Sequence, residues 1–195
     1  MKILTTSILL MLTLIVVPAF SYFSGVALTV DGNVLLVELG MMALVAAGYC
    51  FLVSEITKNY SQVDKLWSLL PIVYVGYLAW KGDWDPRLVV MWVLTVLWGI
   101  RLTGNFALKG AYKWKFWEGE EDYRWSILRA KKEFQPGWKW SLFNLFFISV
   151  YQNGLILLFT LPAVIAFDQR GKDLYGLDYL AAGLVFLFIV YEVVA

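Results

Sequence analysis

Six apolar runs dominate this chain and leave few folds open to it. They are Ile3–Phe23, Val34–Ile56, Leu66–Trp80, Leu88–Leu108, Ser141–Phe167 and Leu177–Ala195. A helix crosses a bilayer with about 20 mostly apolar residues. Backbone groups in hydrocarbon must be satisfied within the segment, which favours helices over open sheets. The sequence therefore predicts an all-α, polytopic transmembrane bundle of about six spans forming one domain over residues 1–195. Hydrophobic residues make up 61% of the chain and charged residues 16%, against about 45–50% and 25% in soluble domains. The first run has two readings. Lys2 before an apolar stretch resembles a cleaved signal peptide, whereas the length of the run and the bulky Phe20, Tyr22 and Phe23 favour a retained span.

The charges orient the bundle. Lys2, Lys58, Lys65 and eight basic residues from Lys109 to Lys139 fall on one side, eleven in all, against Lys81, Arg87, Arg170 and Lys172 on the other. The more basic side is cytoplasmic, so both termini and segment 109–140 are assigned there. The formal charge of +1 leaves no excess for nucleic acid. Histidine is absent and Cys50 is the single cysteine, which removes imidazole chemistry and a thiolate metal cluster within one chain.

Polar residues within apolar runs mark candidate sites, because a charge at a helix centre costs roughly 2.5–3.5 kcal/mol on insertion scales. Trp98, Arg101 and Asn105 share one helical stripe. Their indole, guanidinium and amide suit an anion or a planar ring. In the alternative, Arg101 snorkels across roughly 10 Å to the cytoplasmic edge. Asn144, Tyr151 and Gln152 form a second stripe, whose bland reading is hydrogen bonding between helices. Asp64 and Trp67 lie one turn apart at the start of the third run, where capping also explains the carboxylate. Segment 109–140 holds Trp114, Phe116, Trp117, Tyr123, Trp125, Trp138 and Trp140, as an interfacial segment would. Its acidic cluster Glu118-Gly-Glu-Glu-Asp122 with Arg124 set beside it also suits ribose and phosphate. No Gly-rich Rossmann or P-loop turn is present.

At these same residues the chain resembles bacterial membrane proteins related to steroid 5-alpha-reductase, a family first filed as a domain of unknown function. The matching pieces are Asn59…Val63-Asp64…Trp67-Ser68, Leu97-Trp98…Arg101-Leu102…Asn105-Phe106, Glu121-Asp-Tyr-Arg-Trp125, and Leu142-Phe-Asn144…Tyr151-Gln-Asn153…Leu161-Pro162. Tyr191-Glu-Val-Val-Ala195 resembles the family's Glu-x-x-Ala-Asp segment, stopping before its Asp. The resemblance covers about residues 55–195. It implies NADPH-dependent reduction of a carbon–carbon double bond conjugated to a carbonyl, on an enone or enoyl lipid or a steroid-like molecule, in a bacterial cytoplasmic membrane.

Carried over by position, the resemblance assigns catalysis to Asp64 and Arg101, and substrate contacts to Trp67, Trp98 and Gln152. It assigns cofactor contacts to Arg101, Asn105, Asp122, Tyr123 and Arg124. Trp98 stands where the family has a tyrosine. An indole N–H donates a hydrogen bond but is no acid, which leaves Asp64 as the acid if burial raises its pKa. The family's cofactor site also draws on a later C-terminal motif. The sequence thus reads as the N-terminal portion of a reductase, with an incomplete NADPH site and a missing segment or complementary subunit. The other readings are a non-catalytic membrane scaffold and a methyltransferase using S-adenosylmethionine. The charge bias makes the first checkable expectation: a cysteine introduced at Lys131 in a Cys50-free version resists impermeant thiol reagents outside intact cells, and ready labelling inverts the topology.

Overall fold

A computed structural model describes residues 9, 12–25 and 27–194, and every regular element among them is helical. Of the first apolar run, residues 3–8, 10 and 11 lie outside the described residues, and its expected retention is not decided by the rest. Its described part ends in α1 (Val17–Ser24). There follow α2 (Val30–Thr57), the short α3 (Gln62–Leu66), α4 (Leu70–Lys81) and α5 (Pro86–Leu108). Beyond segment 109–122 come α6 (Tyr123–Arg129), α7 (Gly137–Phe143), α8 (Gln152–Asp168) and α9 (Gly176–Val194). A π-helical stretch, Asn144–Tyr151, fuses α7 and α8 into one run.

Among the described residues four helices are long and apolar enough to cross a membrane: Val30–Thr57, Pro86–Leu108, Gly137–Asp168 and Gly176–Val194. The third predicted run differs. Its helix α4 has 12 residues, about 18 Å, short of a bilayer core. Pro71 sits in its first turn; proline lacks the N–H that would extend a helix backward and disfavours helical geometry in the residue before it. The path is broken there and α3 precedes it as a separate turn. Together α3 and α4 still run from one end of the bundle to the other. Lys65 touches segment 109–122, while Asp85, just past α4, accepts from the Gly171 N–H. The short helix α4 is also the core of the bundle, with Tyr74, Leu78 and Ala79 fully buried where it packs on α5 and α8.

Local chemistry fixes the ends opposite the basic segment. Thr29 caps α2, its hydroxyl oxygen accepting from Gly32 N–H at 3.1 Å. The same hydroxyl and the Thr29 amide donate to the Asp168 carboxylate at 2.5 and 2.8 Å. A Cβ on Gly32 would collide with that carboxylate, so any larger residue there displaces the Asp168 side chain from Thr29. Asp85 caps α5 ahead of Pro86, accepting from Arg87 N–H at 3.0 Å.

The outermost helix, α9, is held by two arginines of α5. Arg87 forks onto Asp178 with two 2.9 Å bonds. Four turns on, Arg101 bonds the Glu192 carboxylate at 2.5 Å and its backbone carbonyl at 3.1 Å. Each pair is separated by 91 residues, so the two parallel helices stay in register along their length. Fork-shaped guanidinium donors suit such fixed two-point contacts.

Candidate functional site at the basic end of the bundle

Lys65 is where the site begins. Its side chain is completely buried, and its ammonium donates to the carbonyls of Phe116 at 2.8 Å and Glu118 at 2.7 Å. A buried ammonium without such partners is strongly unfavourable, so these bonds pin the loop to α3. Gln62 adds a bond to the Trp117 carbonyl at 3.0 Å, and Tyr112 donates to the Lys65 carbonyl at 2.8 Å. Nearer the chain reversal, Asn59 donates to Gly119 O, Glu121 accepts from Tyr60 N–H, and Ser61 accepts from Asp122 N–H, all within 2.9 Å. At Gly119, φ is +128° and a Cβ would overlap the Ala111 carbonyl; only glycine fits. Residues 59–65 and 112–122 thus form one clasp.

The clasp aims Asp64. Its Oδ2 accepts from the buried Trp125 indole N–H at 2.7 Å, and its Oδ1 meets Arg124 at 3.5 Å. Burial raises the Asp64 carboxyl above its ordinary 3.8, outweighing the bonds from Trp125 and Ser61 and the charge of Arg124. Asp122 behaves oppositely. Burial pushes it upward, but Arg124 overrides this through a side-chain fork of 2.8 and 3.0 Å, a backbone bond and its charge, holding the carboxyl below the usual range. Two carboxylates beside one guanidinium are therefore driven apart, the buried one toward the neutral acid.

Asp64 opens on a cavity of about 530 Å³ that also takes in Trp67, Gln152, Asp122, Tyr123 and Arg124. Six predicted site residues, drawn from positions 64 to 152, are brought together there. Trp67 donates to Gln152 at 3.0 Å, stacks on Phe159 at 5.7 Å, and Phe159 meets the edge of Trp98 at 6.4 Å. Behind this aromatic partition lies a chamber of about 280 Å³ between α4, α5, α8 and α9, lined by Trp98 and Phe159. The hydroxyls of Thr95 and Thr160 there donate to their own helices, so the chamber presents hydrocarbon.

Two predicted residues stand apart. Arg101 lines neither cavity and is committed to Glu192. Asn105 is exposed and lines neither. Of the stripe they share with Trp98, Arg101 meets α9 at Glu192 and Trp98 lines the apolar chamber. In the second stripe, Asn144 bonds Glu55 of α2 at 2.9 Å, as an interhelical link does. Tyr151 stacks on Phe147, Asn153 donates to Ser149 O, and Gln152 alone of the three reaches the cavity. The π-helical stretch before it widens the register. Lys65, Ser61 and Trp125 were not singled out by sequence. Lys65 carried a signal, a charge set within the start of an apolar path, whereas Ser61 and Trp125 gain their roles from partners about 60 residues away. Among the described residues no group of acidic or sulfur side chains is placed to hold a metal ion.

Comparison with known proteins adds the following. A family described as a protein of unknown function (DUF1295) matches residues 50–195. A protein of Schizosaccharomyces pombe, described as uncharacterised, is 35% identical over 148 residues, covering 73% of this chain and 41% of the relative. The chain thus spans about two fifths of that relative's length. No solved structure matches.

The environment of Asp64 is testable by stability. Asp64→Ala strands the Trp125 N–H and lowers stability by about 1–3 kcal/mol, while Asp64→Asn keeps an acceptor and loses less. Because the folded carboxyl titrates above its unfolded value, its contribution is complete below 3.8 and is lost as pH rises through the raised folded value. Thermal unfolding against pH should show that loss in the native protein and not in Asp64→Asn.

Proposed function

The chain belongs to the DUF1295 family, and we propose that this member is a membrane enzyme that reduces the carbon–carbon double bond of an enone or enoyl lipid, NADPH being the reductant. The observation that carries the reading is a buried carboxyl, raised above the ordinary aspartate range, in a polar cavity whose wall residue Trp67 stacks on Phe159 of a hydrocarbon chamber. An amphipathic substrate would lay its tail behind the Trp67–Phe159–Trp98 partition and its carbonyl toward Asp64. Trp125 occupies Oδ2, so the proton goes on Oδ1, replacing its 3.5 Å contact with Arg124, which keeps its fork on Asp122. A neutral acid there donates a hydrogen bond to the carbonyl oxygen and protonates it as negative charge develops. Gln152 fixes Trp67 and so the partition. In the same proposal the membrane is a bacterial cytoplasmic one, although the yeast relative is eukaryotic.

NADPH does not fit this cavity by itself. Asp64, Glu120, Glu121 and Asp122 line it against Lys109 and Arg124, and the Arg124 fork is already closed on Asp122. Phosphates call for unpaired cationic forks, so the phosphate contacts would come from outside this cavity, and no hydride step is assigned within it. Asp122 and Tyr123 suit ribose hydroxyls alone. The same acidity favours a second reading, a methyltransferase. S-adenosylmethionine carries a sulfonium and no phosphate, which matches a carboxylate-rich lining with an aromatic wall.

Turnover separates the readings. In protein purified from its native membrane, NADPH oxidation driven by an enone lipid should fall roughly 10²–10⁴-fold in Asp64→Asn, with the lipid still bound. Unchanged turnover removes Asp64 from the chemistry. Methyl transfer from S-adenosylmethionine supports the second reading, and neither activity supports a scaffold.

A further inference from the structure

A groove of about 780 Å³ runs between α2 and the α3–α4 path. Met42, Val45 and Ala46 form one wall, Leu70 the other, and Phe116 and Trp117 roof it. No charged side chain lines it, and its α2 wall lies within a helix of membrane length. The groove therefore opens on acyl chains rather than on water.

Its roof belongs to a closed loop. The Glu120 N–H donates to the Gly110 carbonyl at 3.0 Å, and the Lys65 and Gln62 bonds hold residues 116–118 against α3. What projects from this pinned base is Lys113-Trp114-Lys115, with both lysines exposed and Trp114 fully so. Lys115 touches Glu118 at 3.2 Å, both side chains about half exposed; such surface pairs are weak and yield to a phosphate. An indole set between lysines beside hydrocarbon is the composition of a headgroup boundary.

We propose that groove and loop together form a binding site for one anionic phospholipid of the surrounding leaflet. One acyl chain lies along Met42, Val45 and Leu70 under Phe116 and Trp117, the phosphate meets Lys113 and Lys115, and Trp114 sits at the ester level. The site uses no residue of the Asp64 cavity and stands independently of the reductase reading. Because its roof hangs from Lys65, the lipid also steadies the loop that frames Asp64.

The test follows thermal unfolding of delipidated protein in a neutral detergent as short-chain phosphatidylglycerol, phosphatidylcholine or inorganic phosphate is added. Ligand that binds the folded state raises Tm in proportion to its saturation. Phosphatidylglycerol should raise Tm at concentrations where phosphatidylcholine scarcely moves it and phosphate does nothing. Lys113→Gln with Lys115→Gln should reduce the phosphatidylglycerol shift to the phosphatidylcholine level. Val45→Trp, at an exposed position on the groove wall, should abolish the shift while leaving the lipid-free Tm near that of the native protein. Equal shifts from both lipids, a shift from phosphate alone, or a phosphatidylglycerol shift that survives either variant overturns the proposal.

Discussion

A single buried ammonium organises the basic end of this protein. Lys65 lies under segment 109–122 with no exposed surface, satisfied by two backbone carbonyls of that segment. Burying a charge is tolerable only where its hydrogen bonds are made, so the loop has one seat on α3. Once seated, it brings Glu121 to Tyr60, Asp122 to Ser61 and Trp125 to Asp64. The raised Asp64 carboxyl, the cavity and the roof of the lipid groove are all downstream of that contact.

The membrane part is held by a different means. Apolar packing has little driving force within lipid, so helices there rely on close fit and on polar links. Here the links concentrate at helix ends, where Thr29 meets Asp168 and Asp85 meets Gly171. Along α5, Arg87 and Arg101 repeat the device at four-turn spacing and bind α9 in register. An intramembrane arginine thus has a structural role as a clamp, distinct from the cavity.

How legible this was depends on what each residue's partner is. The helical class and most spans follow from hydropathy alone, because lipid constrains every residue of a span in the same way. The span read as Leu66–Trp80 is instead broken before Leu70, where Pro71 limits the helix locally. Placing Asp64, Trp67, Asp122, Tyr123, Arg124 and Gln152 at one cavity rested on the order of family motifs, which periodicity does not supply. Arg101 shows the limit. Its stripe with Trp98 and Asn105 is real, but a helical stripe has no address until its neighbours are known, and its neighbour here is Glu192. Lys65 and Trp125 escaped for the same reason, their partners lying some 50 to 60 residues on.

The central claim is that the buried Asp64 carboxyl, bonded by Trp125, is held above the ordinary aspartate range, and infrared titration tests it most directly. In difference spectra between the native protein and Asp64→Asn, a protonated-carboxyl band should persist above the ordinary aspartate value of 3.8 and shift when Trp125→Phe removes its donor. A band that vanishes near 3.8, or one that Asp64→Asn leaves in place, contradicts the account.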